Sequence, residues 1–97
     1  GHALENVVYL ELLRRGYDVA IGKINTQEVD FIGANATEKL YIQVTESMLG
    51  EEVRERELTP LKKIQDNYEK IVLSLDSGLD SSYEGIRSVN LIEWLLS

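Results

Sequence analysis

Between Asp18 and Thr45 the chain reads DVAIGKINTQEVDFIGANATEKLYIQVT, and the reading of this stretch decides the fold. Asp18 to Ile24 and Glu28 to Ala34 are β-type runs, joined by Asn25-Thr26-Gln27 in what reads as a hairpin. Ala34 to Lys39 (ANATEK) is a second turn, and Leu40 to Thr45 (LYIQVT) is a third strand. Three strands joined by short turns make an antiparallel meander.

On the N-terminal side, Ala3 to Arg15 places Leu4, Val7, Val8 and Leu12 at helical spacing. Arg14 and Arg15 fall in the last turn, where positive charge suits the dipole, and Gly16 is the stop. On the C-terminal side, a short linker (Glu46 to Gly50) leads to a helix over Glu51 to Asp66 with Val53, Leu58, Leu61 and Ile64 as its apolar stripe. Pro60 has no N–H to donate, so it should kink this helix or restart it with Thr59 as N-cap. Lys70 to Leu75 (KIVLSL) is a near-continuous apolar strand, as expected in a sheet covered on both faces. Asp76 to Gly85 reads as the longest polar loop, Ile86 to Val89 as a short strand, and Asn90 as the cap of a final helix, Leu91 to Leu96. Trp94, with Leu91, Leu95 and Leu96, supplies that helix's core face.

The predicted order is therefore α-β-β-β-α-β-β-α, an α/β fold with a mixed sheet flanked by helices. Few common folds share it, and the restriction-endonuclease-like core is one. The 97 residues make one domain with one modest core. Absence of cysteine excludes disulfides and thiolate metal sites, and the lone histidine, His2, argues against a zinc centre. No apolar run approaches the ~20 residues of a membrane span, and no signal segment is seen, so the cytoplasm is the expected location. A net charge of −7, from 17 acidic and 10 basic residues, counts against a stand-alone nucleic-acid binder and favours a partner domain or chain. Gly1-His2 runs straight into the first helix, as in a fragment of something longer.

Simple strand alternation puts Glu28, Asp30 and Ile32 on one face and Val29, Phe31 and Gly33 on the other. Asp30 and Gln43 each interrupt an apolar run, so each needs a partner or a ligand. Two such polar groups on neighbouring strands could share Mg²⁺, which would polarise a phosphodiester and generate the attacking hydroxide. Glu5, on the first helix, is placed to reach the same end of the sheet.

ALENVVYLELLRRGYDV, IGK, EVDFIG, LYIQVT and PLKKIQDNYEKIVL, in this order, resemble the C-terminal domain of a largely uncharacterised group of bacterial and archaeal P-loop (AAA-type) ATPases, assigned to the PD-(D/E)XK nuclease-like superfamily. The similarity runs from Gly1 to Ser97. It implies a metal-dependent DNA-processing module attached to an N-terminal ATPase domain, with Glu5 as the helix-one glutamate and Asp30 as the motif aspartate. Gln43 then takes the acidic place of the (D/E)-x-K pair and Thr45 the place of its lysine. Gln43 lacks the charge that holds a divalent ion, and Thr45 cannot act as an ammonium would on the phosphate, so the resemblance implies a degenerate site. Lys23, Lys62 and Lys63 are the lysines that could substitute. No glycine-rich phosphate loop occurs here, so ATP is not expected to bind this chain.

Each of these residues also has a plainer reading. Asp30 could be a hydrogen-bonded strand aspartate, Gln43 a satisfied buried amide, and Glu5 a first-turn glutamate favoured by the dipole. Arg54, Arg56, Lys62 and Lys63, interleaved with Glu51, Glu52, Glu55 and Glu57, read as a solvated ion-paired face. Thr45 and Glu46 read as a strand end, and Tyr9, Tyr68 and Tyr83 as ordinary amphipathic tyrosines. Three functional classes follow: a Mg²⁺-dependent endonuclease, a non-catalytic module that binds nucleic acid or docks on its ATPase, and a homo-oligomerisation domain. The last would need an exposed apolar patch, which the sequence does not reveal.

Overall fold

The computed structural model describes residues 2–24, 27–77 and 81–97, with side chains described for all of these but 2, 23, 24 and 27. The Asn25-Thr26 turn and the tip of Lys23 lie outside the described residues. The elements are α1 (His2–Arg14), β1 (Asp18–Ile24), β2 (Gln27–Ala34), β3 (Lys39–Val44), α2 (Glu51–Lys62), β4 (Glu69–Ser74), β5 (Ser81–Tyr83), β6 (Ile86–Asn90) and α3 (Leu91–Leu96). The sheet is six-stranded in the order β1-β2-β3-β4-β6-β5. The meander β1-β2-β3 is antiparallel, β3-β4 and β4-β6 are parallel, and β5 returns antiparallel to β6. This is a mixed-sheet α/β domain.

Helices cover both faces. On one, Val8 and Leu12 of α1 and Leu91 and Trp94 of α3 pack against Phe31, Ile42 and Leu73. On the other, Leu58 and Leu61 of α2 pack against Val29, Tyr41 and Val72. The alternation of β3 and β4 between these two cores explains their near-continuous apolar sequences. Trp94 is a core residue, as its helical spacing predicts.

The end of α1 is set by Gly16, whose φ of +88° is the left-handed conformation that glycine adopts without strain. The Tyr17 N–H bonds to the Leu12 carbonyl and the Gly16 N–H to the Leu13 carbonyl, a Schellman closure. Asn90 caps α3 by accepting the Glu93 N–H, as expected.

Leu96, expected on the core face of α3, is 83% exposed, Val7 is 40% exposed, and α2 ends at Lys62, short of the expected Asp66; four further expectations need correction. The expected loop from Asp76 to Gly85 contains a strand, β5, so the order gains an element. Tyr83 and Ile86 flank a tight hairpin whose two central residues, Glu84 and Gly85, both have positive φ, the twist that suits a two-residue connection. The α2 helix runs through Pro60 from its N-cap Gly50, with no restart at Thr59, whose hydroxyl instead bonds the Glu55 carbonyl. Its packing through Leu58 and Leu61, either side of Pro60, offsets the missing N–H. Lys70, in a strand expected to be apolar, is buried, and its ammonium donates to the Asp66 carboxylate and to the carbonyls of Asp66 and Tyr68.

The fourth correction concerns strand phase. Ala20 pairs with Ile32 but Gly22 with Val29, so the single residue Ile21 faces two residues, Asp30 and Phe31, on β2. This β-bulge resets the alternation. Val29 therefore joins Ile32 and Tyr41 in the α2 core, while Phe31 enters the α1 core. Crowding follows at Gly22, where a Cβ would lie 2.8 Å from Val29 Cγ2 and Ile32 Cδ1.

Candidate functional site

The bulge falls on Asp30, the residue that the sequence singles out. Regular pairing of β2 with β3 stops at Phe31–Ile42, so the next backbone groups on each strand lack ladder partners. Side chains replace them. The Asp30 N–H donates to Gln43 Oε1 at 2.8 Å, and the Val44 N–H donates to Asp30 Oδ2 at 2.8 Å. Gln43, itself buried, uses its other end to donate from Nε2 to the Glu57 carbonyl of α2 at 3.3 Å. Both ends of the Gln43 amide are thus committed within the protein.

Glu5 reaches the same place. In α1, Glu5, Val8 and Leu12 lie along one face, so burial of Val8 and Leu12 turns Glu5 toward the sheet. The Tyr9 ring lies 6.3 Å from that of Phe31, which fixes α1 over the bulged strand. Glu5 and Asp30 line one surface cleft of about 370 Å³ with Ile21, Gly22 and Val29. Burial pushes the Asp30 carboxyl above the ordinary aspartate range, and the nearby Glu5 charge adds to this against the Val44 hydrogen bond.

Glu57 is the residue that sequence reasoning missed. Taken for part of a solvated face, its side chain is 15% exposed and lies near Asp30 and Glu5. Its carboxyl is raised above the usual glutamate range, chiefly by burial and then by the Asp30 charge, with Arg56 3.8 Å away as a weak counterweight. A signal for it existed: Glu57 lies four residues before Leu61, on the flank of the buried stripe.

The structure brings together Glu5, Asp30 and Gln43, and adds Glu57. It does not bring in a described lysine. Lys62 pairs with Glu84 at 2.9 Å, on the β5–β6 turn, and Lys63 is the C-cap of α2. Thr45, which the resemblance sets in the place of the motif lysine, donates its hydroxyl to the Ser47 carbonyl. Among the described residues the cleft is lined by carboxylates and apolar groups, with no basic rim. No set of three acidic or histidine side chains that could hold a metal ion occurs among the described residues. Two of the candidate donor oxygens already accept hydrogen bonds: Gln43 Oε1 takes the Asp30 N–H, and Asp30 Oδ2 takes the Val44 N–H.

No family model matches the chain. No solved structure matches it. An uncharacterized protein of Haemophilus influenzae (strain ATCC 51907 / DSM 11121 / KW20 / Rd) is 41% identical over 93 residues, which cover 96% of this chain. The chain spans only 22% of that relative's length. Among the described residues no helix is long and apolar enough to cross a membrane.

Proposed function

We propose that this chain is a PD-(D/E)XK nuclease-like domain with a degenerate active site, working as a non-catalytic module of a larger P-loop ATPase that acts on DNA. The restriction-endonuclease-like order and the ATPase connection rest on the resemblance in EVDFIG, LYIQVT and PLKKIQDNYEKIVL. The observation that carries the loss of chemistry is the commitment of the Gln43 amide to the Asp30 N–H and the Glu57 carbonyl. An amide can make both bonds because it accepts and donates, whereas the carboxylate of a live (D/E)-x-K site could make only the first. In this reading the motif positions hold the bulge in place and do not hold a metal. The relative's length, of which the chain matches 22%, agrees with a module inside a larger protein.

A non-catalytic module needs a surface to work through. On α1, Val7, Leu10 and Leu13 are exposed at 40%, 63% and 44%, an apolar stripe on the side away from Val8 and Leu12. This favours docking against the ATPase part of the same polypeptide over direct binding of nucleic acid, which the net charge of −7 disfavours.

Calorimetric titration with Mn²⁺ of the wild-type chain and of Asp30→Asn, with cleavage assays on branched and single-stranded DNA, tests the proposal. The expected result is no cleavage and no saturable binding that depends on Asp30. Saturable binding lost in Asp30→Asn, together with cleavage, would establish instead a metal-dependent nuclease using Glu5 and Asp30, which their shared cleft favours.

A further inference from the structure

The parallel strands β4 and β6 end side by side, with Ser74 in register with Asn90. Crevices beyond the carboxyl ends of parallel strands are where open α/β sheets hold ligands. Here the crevice is a pocket of about 130 Å³ on the α2 side of the sheet's edge, with Arg54, Ser74, Ser81, Tyr83 and Ser88 in its lining. That volume suits a single small polar group.

Arg54 sets this pocket apart. Among the described arginines, Arg14 and Arg15 meet Glu11, Arg56 meets Glu57 and Arg87 meets Glu69. Arg54 meets no carboxylate among the described residues, in a chain with 17 acidic side chains to 10 basic ones. It is half-buried, and its guanidinium carbon lies 5.7 Å from the centre of the Tyr83 ring, which braces the group while no described side chain takes its N–H edge. Ser74 is 2% exposed and already engaged: its Oγ accepts the Asp76 N–H and its hydroxyl bonds the Asp76 carboxylate, so the hydroxyls left as donors are those of Ser81 and Ser88. Asp76 also lines the pocket, but its two oxygens are occupied by the Ser47 hydroxyl and the Met48 N–H. Asn90 is likewise occupied, by the Asp76 carbonyl and the Glu93 N–H.

We propose that this pocket binds a phosphate group, with Arg54 as its charge partner and the hydroxyls of Ser81 and Ser88 as further donors. The donors come from three elements, α2, β5 and β6, an arrangement that suits a tetrahedral oxyanion better than a planar carboxylate. The site is separate from the Glu5–Asp30 cleft and does not depend on the nuclease-like reading.

Amide and Arg Nε–H NMR shifts of the 97-residue chain, titrated with inorganic phosphate against chloride at matched ionic strength, test this. Saturable shifts at Arg54, Ser81 and Ser88 are expected. Affinity should fall roughly tenfold or more in Arg54→Gln and about threefold in Ser88→Ala, a charge-assisted bond weighing more than a neutral one. No saturation, or saturation unchanged in both variants, would overturn the proposal. A short oligonucleotide with and without a 5′-phosphate separates the sources. Competition with inorganic phosphate by the phosphorylated strand alone identifies a nucleic-acid end as the ligand. If neither strand competes while phosphate binds, the ligand is a free phosphate or small phosphomonoester.

Discussion

Asp30 and Gln43 exchange roles across the β2–β3 pair: the side chain of each bonds a backbone N–H on the other's strand. The exchange occurs beside the β1–β2 bulge, just beyond the Phe31–Ile42 pair where the regular β2–β3 pairing ends, and it supplies acceptors to the N–H groups there.

Removing the Gln43 amide should therefore cost stability. Gln43→Ala leaves the buried Asp30 N–H without its acceptor, a loss of about 1–3 kcal/mol. Gln43→Glu restores the acceptor but adds a carboxylate beside Asp30 and Glu57. It should be less stable than wild type at pH 7 and recover as the pH is lowered to 5, as denaturant melts at the two pH values will show.

The Glu57 carboxyl is raised above its ordinary value of 4.5, so the folded chain holds this proton more tightly than the unfolded one. Its cost to stability is absent below that value and grows as pH rises through the folded one. Glu57→Gln should thus be more stable than wild type at pH 7, by on the order of 1 kcal/mol for a partly exposed charge. At pH 4 the two should melt together. A variant less stable at pH 7 would show that Glu57 is a favourable charge.

Glu11 has the opposite sign. Hydrogen bonds from Arg14 and then Arg15 lower its carboxyl from 4.5 to about 2. Its contribution is fully present above pH 4.5 and is lost as pH falls through about 2. Arg15 also bonds the Trp94 carbonyl and stacks 4.4 Å from the Trp94 ring centre, so Glu11 steadies the α1–α3 contact. Glu11→Gln should lower stability at neutral pH by no more than about 1 kcal/mol, the range of a well-formed surface pair, with the difference gone near pH 2.

Lys70 is held by Asp66 and by two carbonyls, while Asp66 also accepts the Tyr41 hydroxyl. Burial would raise the Asp66 carboxyl, but the Tyr41, Lys70 and Tyr68 hydrogen bonds keep it below its ordinary range. Lys70→Ala strips the carboxylate of its cation and should cost about 3 kcal/mol. The companion Lys70→Ala/Asp66→Asn should recover part of that in thermal melts, since no unpaired charge remains.

Gly22→Ala tests the bulge itself. The new Cβ would press on Val29 and Ile32, both thrown to the same side by the phase shift, at an expected cost of about 1–3 kcal/mol. If β2 were regular, Val29 would point away and only the Ile32 contact would remain, so the cost would be smaller.

The sequence by itself determined the meander from Asp18 to Thr45, helix α1 with its Gly16 stop, the buried β4, the Asn90 cap and the core role of Trp94. These rest on local periodicity and on backbone groups satisfied within a few residues. It also marked Asp30 and Gln43, because a polar side chain in an apolar strand needs a partner wherever the strand lies. Only the tertiary structure decided who the partners were. The bulge at Asp30 depends on how β2 is paired with β1, and no rule of alternation along one strand contains that pairing. Glu57 reaches the bulge because α2 is packed across the sheet, and Arg54 meets Tyr83 only because β5 folds back on β6. Charges on a helix face look alike in sequence, and what distinguishes them is the dielectric and the neighbours that packing brings.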